Sequence, residues 1–176
     1  MKAKLVQQMQ SYVAETCVGA SAIRNQGGSG LVQGAREYFK TVDLASIPTD
    51  ESRIGPWLEH HTDALLLKFP VGARKFGTAR KALNLFLRSA SYNCCLNRAF
   101  HLDSVLPLLE VPLDSYAAKH LLTHDPAIAT KWVGLKTVTR AEHAKYQLAA
   151  LALAESWQVL RVDLDVFFYR EKAGAA

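Results

Sequence analysis

Apolar residues recur at helical rather than strand spacing along most of the chain. Leu5, Met9, Tyr12, Val13 and Cys17 predict a first helix through about residue 22. Asn25-Gln26-Gly27-Gly28-Ser29-Gly30 breaks it. That run lacks the lysine-and-hydroxyl arrangement of a P-loop, so it reads as a tight connection. Leu31 to Leu44 predicts a second helix with Val32, Ala35, Phe39 and Val42 on one face. After a loop at Ile47-Pro48-Thr49-Asp50, Pro56 fits the first turn of a third helix. Trp57, His61, Leu65 and Lys68 recur on one side of it, and Pro70 and Gly72 end it.

The fourth helix is predicted to begin near Phe76 or Gly77. Ala79, Leu83, Phe86, Leu87, Ala90 and Cys94 form its inward face. Lys81, Asn84, Arg88 and Ser91 make an opposite polar stripe, which meets either water or a ligand. Leu102, Val105, Leu106 and Leu109 suggest a short helix perturbed by Pro107. Asp114 is placed to cap a helix from Ser115 to Thr123, and Asp125-Pro126 opens a further turn. Thr139 and Glu142 form a capping-box signature before a helix to about Gln158. Ala144, Leu148, Leu151, Ala152 and Ala154 are its expected apolar positions. Val162, Leu164, Val166 and Phe168 alternate as in a strand, but no partner strand is evident. Capping by Asp163 or Asp165 offers a final short helix instead. The expected fold is all-α: one compact helical domain over residues 1–176.

Composition narrows the function less than the fold. Apolar residues make up 49% of the chain and charged residues 21%, as in an ordinary globular domain. The formal charge of +5 favours an anionic partner. The three cysteines, Cys17, Cys94 and Cys95, match neither a paired extracellular scaffold nor a CxxC metal site. His60-His61, His101, His120, His124 and His143 form no recognised ligand motif, so neither metal nor cofactor is expected. The apolar run from Ala64 to Phe69 is too short to cross a bilayer and contains Lys68. A cytoplasmic or DNA-associated location, away from membranes, is the expectation.

Lys81 on the polar stripe can meet phosphate as a point charge, or attack a sugar C1′ carbon when its amine is neutral. Asp114 can stabilise positive charge on that sugar and assist proton transfer. Its capping role requires no catalysis. Only folding can bring the two together.

Gly77-Thr78-Ala79-Arg80-Lys81-Ala82-Leu83-Asn84 resembles the hairpin signature of the endonuclease III-like, helix-hairpin-helix DNA glycosylases, roughly Gly-Val-Gly-Arg-Lys-Thr-Ala-Asn. Leu113-Asp114-Ser115-Tyr116 resembles the family's later Val-Asp-Thr-His motif. The resemblance covers residues 77–120, and Ala79 stands at a hairpin glycine. It lacks the Leu-Pro-Gly opening and the four-cysteine cluster motif, and it separates Lys81 from Asp114 by more residues than the family usually does. It implies a base-excision DNA glycosylase with Schiff-base AP-lyase activity acting on double-stranded DNA. Lys81 and Asp114 take the catalytic roles. A DNA-binding hairpin and helix falls at 70–92, with Gly77, Arg80, Asn84, Arg88 and Lys119 as DNA contacts. Trp57, Tyr92, Phe100 and Tyr116 are candidates for the base pocket. The alternatives are a noncatalytic basic DNA-binding protein and a helical protein-interaction module.

Overall fold

The computed structural model describes residues 2–19, 22–23, 26, 30–125, 128 and 131–168. All regular structure among them is helical. The α-helices are α1 (Lys2–Thr16), α2 (Leu31–Thr41), α3 (Glu51–Lys68), α4 (Phe76–Tyr92), α5 (Cys94–Phe100), α6 (Ser115–His124) and α7 (Arg140–Trp157). Short 3₁₀ turns lie at Leu44–Ser46, Val71–Ala73, Leu102–Ser104, Leu106–Leu108 and Arg161–Asp163. Residues 164–168 are helical, so the alternating pattern there resolves as helix.

Local chemistry sets several boundaries. Asp50 caps α3 by accepting from the Arg53 N–H, so this helix starts five residues earlier than Pro56 suggested. Pro56 lies within it, where Ile54, Leu58, Thr62 and Leu65 bury the opposite face. Asn93 ends α4 and caps α5, accepting from Cys95 and Leu96 N–H. Cys94 therefore belongs to the next helix. The Thr139–Glu142 capping box forms in full at the start of α7.

Helix α4 is the central element and contacts α1, α2, α3, α5 and α7. Its inward positions Ala79, Leu83, Phe86, Leu87 and Ala90 are buried as their spacing predicts. The Phe86 ring stacks on Phe39 of α2 with centroids 4.5 Å apart, a contact worth about 0.5–1.5 kcal/mol beyond its buried area. The polar stripe departs from expectation. Lys81, Asn84 and Ser91 are buried and Arg88 is half-buried, because α4 is packed on every side.

The same inversion occurs on α7. Leu148 is 66% exposed, and Ala144 and Ala152 also face out. The buried face is His143, Tyr146, Gln147, Ala149, Ala150, Leu153 and Ala154. Two polar side chains on that face reach partners beneath the helix, which apolar periodicity does not register.

Two hydrophobic clusters result. One gathers α1 to α5 around Phe39, Phe69, Phe86 and Leu83. The other joins α6, α7 and the helical residues 164–168 around Tyr146, Leu121, Leu164 and Phe168. A buried polar layer from α3, α4 and α7 links the helices of the two clusters.

Candidate active site

Asp114 and Lys81 meet. Asp114 Oδ1 accepts from the Tyr116 and Ala117 N–H groups, both at 2.9 Å, and so caps α6. Its other oxygen, Oδ2, accepts from Lys81 Nζ at 3.1 Å across a separation of 33 residues. Lys81 is only 7% exposed. The Asp114 side chain is 35% exposed, so the pair sits at the edge of the interior rather than deep within it. Burial opposes the charge on Asp114. The Lys81 ammonium and hydrogen bonds from Ala117, Lys81 and Tyr116 outweigh that cost and hold its carboxyl below the ordinary range.

Both side chains line one open cavity of about 250 Å³. Its walls also include Gln26, Ser115, Trp132, Gly134 and Leu135. Gly77 helps to shape this wall from behind. A Cβ there would lie 2.3 Å from Val138 Cγ1 and 2.6 Å from the Leu135 carbonyl oxygen. Gly77 thus lets the 134–138 turn approach the first turn of α4, and its surroundings are protein, not solvent.

Arg80 and Asn84, expected at DNA, point instead into the polar layer. Arg80 is 4% exposed. Its guanidinium donates to Glu110 through Nε at 2.8 Å and Nη2 at 3.2 Å, and through Nη1 to Thr62 Oγ1 at 2.9 Å. Glu59 Oε1 lies 3.0 Å from Nη2. Asn84 Nδ2 donates to Glu110 Oε2 at 2.9 Å. Burial raises the Glu110 pKa, but His143, Arg80 and the hydrogen bonds from Arg80 and Asn84 prevail and bring it to about 2. These side chains occupy one another, which leaves neither Arg80 nor Asn84 turned towards a phosphate.

The other predicted contacts scatter. Arg88 pairs with Asp165 beside a separate cavity of about 540 Å³, which Tyr12 and Tyr92 also line. Tyr92 donates to Asp163. Trp57 Nε1 donates to Ser46 Oγ at 3.2 Å, and its ring lies 3.9 Å from that of His61. Phe100 packs against the first cluster, and Tyr116 lies edge-on to His120. The structure therefore does not gather Trp57, Tyr92, Phe100 and Tyr116 around the Lys81 cavity. The aromatic residue that lines it is Trp132, whose ring meets Tyr146 edge-on at 5.4 Å. Nothing in the spacing of Trp132 marked it. Lys119 is exposed on α6.

Exposed cations do occur elsewhere. Lys68, Arg74 and Lys75 surround the α3–α4 connection, whose tip residue Val71 is 80% exposed. Lys131 and Lys136 are exposed and flank the cavity-lining stretch 132–135 in sequence. Among the described residues, no group of three or more His, Cys, Asp and Glu side chains could hold a metal, and no helix is long and apolar enough to cross a membrane. No protein-family model, curated protein or solved structure matches the chain.

Proposed function

We propose that this chain is a base-excision DNA glycosylase with Schiff-base AP-lyase activity. The observation that carries the reading is the Lys81–Asp114 contact at the wall of an open cavity. A buried lysine at the wall of an open cavity puts an amine within reach of a substrate, and the carboxylate beside it can stabilise a cationic sugar. The cavity lies just under the roughly 300–1,000 Å³ usual for ligand pockets, a scale suited to a single flat group.

In the proposed reaction the target nucleotide leaves the base stack and its sugar reaches Lys81. Lys81, an ammonium beside Asp114 at rest, first gives a proton to water, and the resulting amine forms a bond to C1′. The C1′–N glycosidic bond breaks, its electron pair leaves with the base, and the base takes up a proton. Asp114, ionised, stabilises the cationic character of the sugar. Loss of a proton from Nζ and opening of the C1′–O4′ bond, with a proton passing to O4′, give a Schiff base. Removal of a C2′ proton then expels the 3′ phosphate oxygen and cuts the strand. Trp132 is the stacking surface in the cavity. The α3–α4 connection serves as the hairpin of a helix-hairpin-helix element. Exposed Lys119, together with Lys68, Arg74, Lys75, Lys131 and Lys136, supplies the phosphate attraction that buried Arg80 and Asn84 do not.

Duplexes carrying a panel of damaged bases, followed by borohydride reduction, test this reading. The expected result is release of at least one base and a covalent adduct that Lys81→Ala abolishes. Salt-sensitive binding with no base release across the panel would instead establish a noncatalytic DNA-binding module.

A further inference from the structure

The segment that delivers Asp114 is pinned at every step. Arg161 donates to the Leu108 carbonyl at 2.9 Å and the Leu109 carbonyl at 3.0 Å. Glu110 is gripped by Arg80 and Asn84 of α4. Gln147 of α7 then closes both backbone groups of Val111. Its Oε1 accepts from the Val111 N–H at 3.2 Å, and its Nε2 donates to the Val111 carbonyl at 2.9 Å. Val111, Pro112 and Leu113 are buried, and Asp114 follows.

Segment 108–111 contains no regular strand that could fix its path, and only 106–108 forms a 3₁₀ turn. Side chains from α4, α7 and the 161–163 turn do so instead. The α4 anchor, Arg80, is the residue next to Lys81. The strap is therefore tied to the helix that carries the amine and to a second helix across the polar layer.

We infer that Gln147 is a positioning residue: by holding both backbone groups of Val111, it sets the reach of Asp114 to Lys81. This rests on the glycosylase reading for its functional consequence and on the hydrogen bonds alone for its structural one. Gln147 touches neither the cavity nor any atom of Lys81 or Asp114 among the described contacts. Its amide is used in full by Val111 and by the His143 ring, 3.4 Å away. A buried glutamine spent on the backbone in this way fixes a chain path rather than binding a ligand.

Gln147→Met keeps the length of the side chain and removes the two Val111 bonds. The full-length protein is titrated by ¹³C NMR at the Asp114 carboxyl, and borohydride trapping is timed on an abasic-site duplex. The expected result is an upward shift of the Asp114 titration and a trapping rate about 100-fold lower, as a misplacement of roughly 1 Å produces. Phe86→Leu, destabilised in the other cluster, is expected to leave the Asp114 titration unchanged. An unchanged titration in folded Gln147→Met overturns the inference. If Gln147→Met does not fold, Gln147→Asn, which shortens the same amide and draws it back from Val111 without changing charge, is read in the same way: a raised Asp114 titration supports the strap, and an unchanged one refutes it. If the wild type forms no adduct, the glycosylase reading fails while the titration still decides the positioning role.

Discussion

Asp114 performs two tasks with two oxygens, and substitution can separate them. Asparagine keeps an acceptor for the Tyr116 and Ala117 N–H groups but removes the charge that faces Lys81. Alanine removes both. Breaking a fully buried ion pair costs about 3–5 kcal/mol. The Asp114 side chain is 35% exposed beside an open cavity, so water screens Lys81 and about 1–2 kcal/mol is expected for Asp114→Asn. Loss of the cap adds about 1 kcal/mol in Asp114→Ala. With a urea slope of about 2 kcal/mol/M, the alanine variant should unfold at a midpoint about 0.5 M below the asparagine variant. Both should lose covalent trapping. Urea denaturation followed by far-UV circular dichroism reads the first effect, and borohydride adduct yield reads the second. Equal midpoints for the two variants would refute the capping role. Full trapping by Asp114→Asn would refute the need for a charge beside Lys81.

Further expectations concern the cavity wall, pH and the core. Gly77→Ala should cost about 1–3 kcal/mol, because its Cβ meets the Leu135 carbonyl and Val138. It should also displace the 134–138 turn, seen as changed fluorescence of Trp132; an unchanged melting temperature would contradict this packing. Burial and the neighbouring His60 push the His61 pKa down from 6.5 to about 4, and the Tyr38 hydroxyl is hydrogen-bonded to its Nδ1 at 2.6 Å. The unfolded chain therefore binds the proton first, and stability should fall as pH drops from about 6.5 to 4. Glu110, at about 2 against an ordinary 4.5, adds a second loss below about pH 4.5 in the same direction. Urea midpoints should fall less steeply between pH 6.5 and 4 in His61→Gln, with the remaining slope supplied by His143, whose pKa burial also lowers. Phe86→Ala should cost about 3–5 kcal/mol by thermal or urea unfolding, since its fully buried ring stacks on Phe39.

Local signals in the chain were legible where local chemistry decides the outcome. The start of α4, its apolar face, the Asp114 cap and the Thr139–Glu142 box all follow from residues within a few positions of one another. The burial of the polar residues of α4 was not legible in this way. Arg80 and Asn84 are buried because Glu110 waits 30 and 26 residues away, and Lys81 because Asp114 lies 33 residues away. Periodicity records polarity but not whether a distant partner will neutralise it. For the same reason α7 turns His143 and Gln147 inward and leaves Leu148 outside. The cavity aromatic was missed because Trp132 sits in an irregular connection, where no helical spacing points to a common face.

The most direct test of the proposed chemistry locates the covalent bond itself. The wild-type protein is incubated with a duplex containing one abasic site, reduced with borohydride, digested and sequenced by tandem mass spectrometry. The sugar remnant is expected on Lys81 Nζ, with no adduct in Lys81→Ala. A remnant on a different amine, or an adduct that persists in Lys81→Ala, would contradict the assignment of Lys81 as the nucleophile.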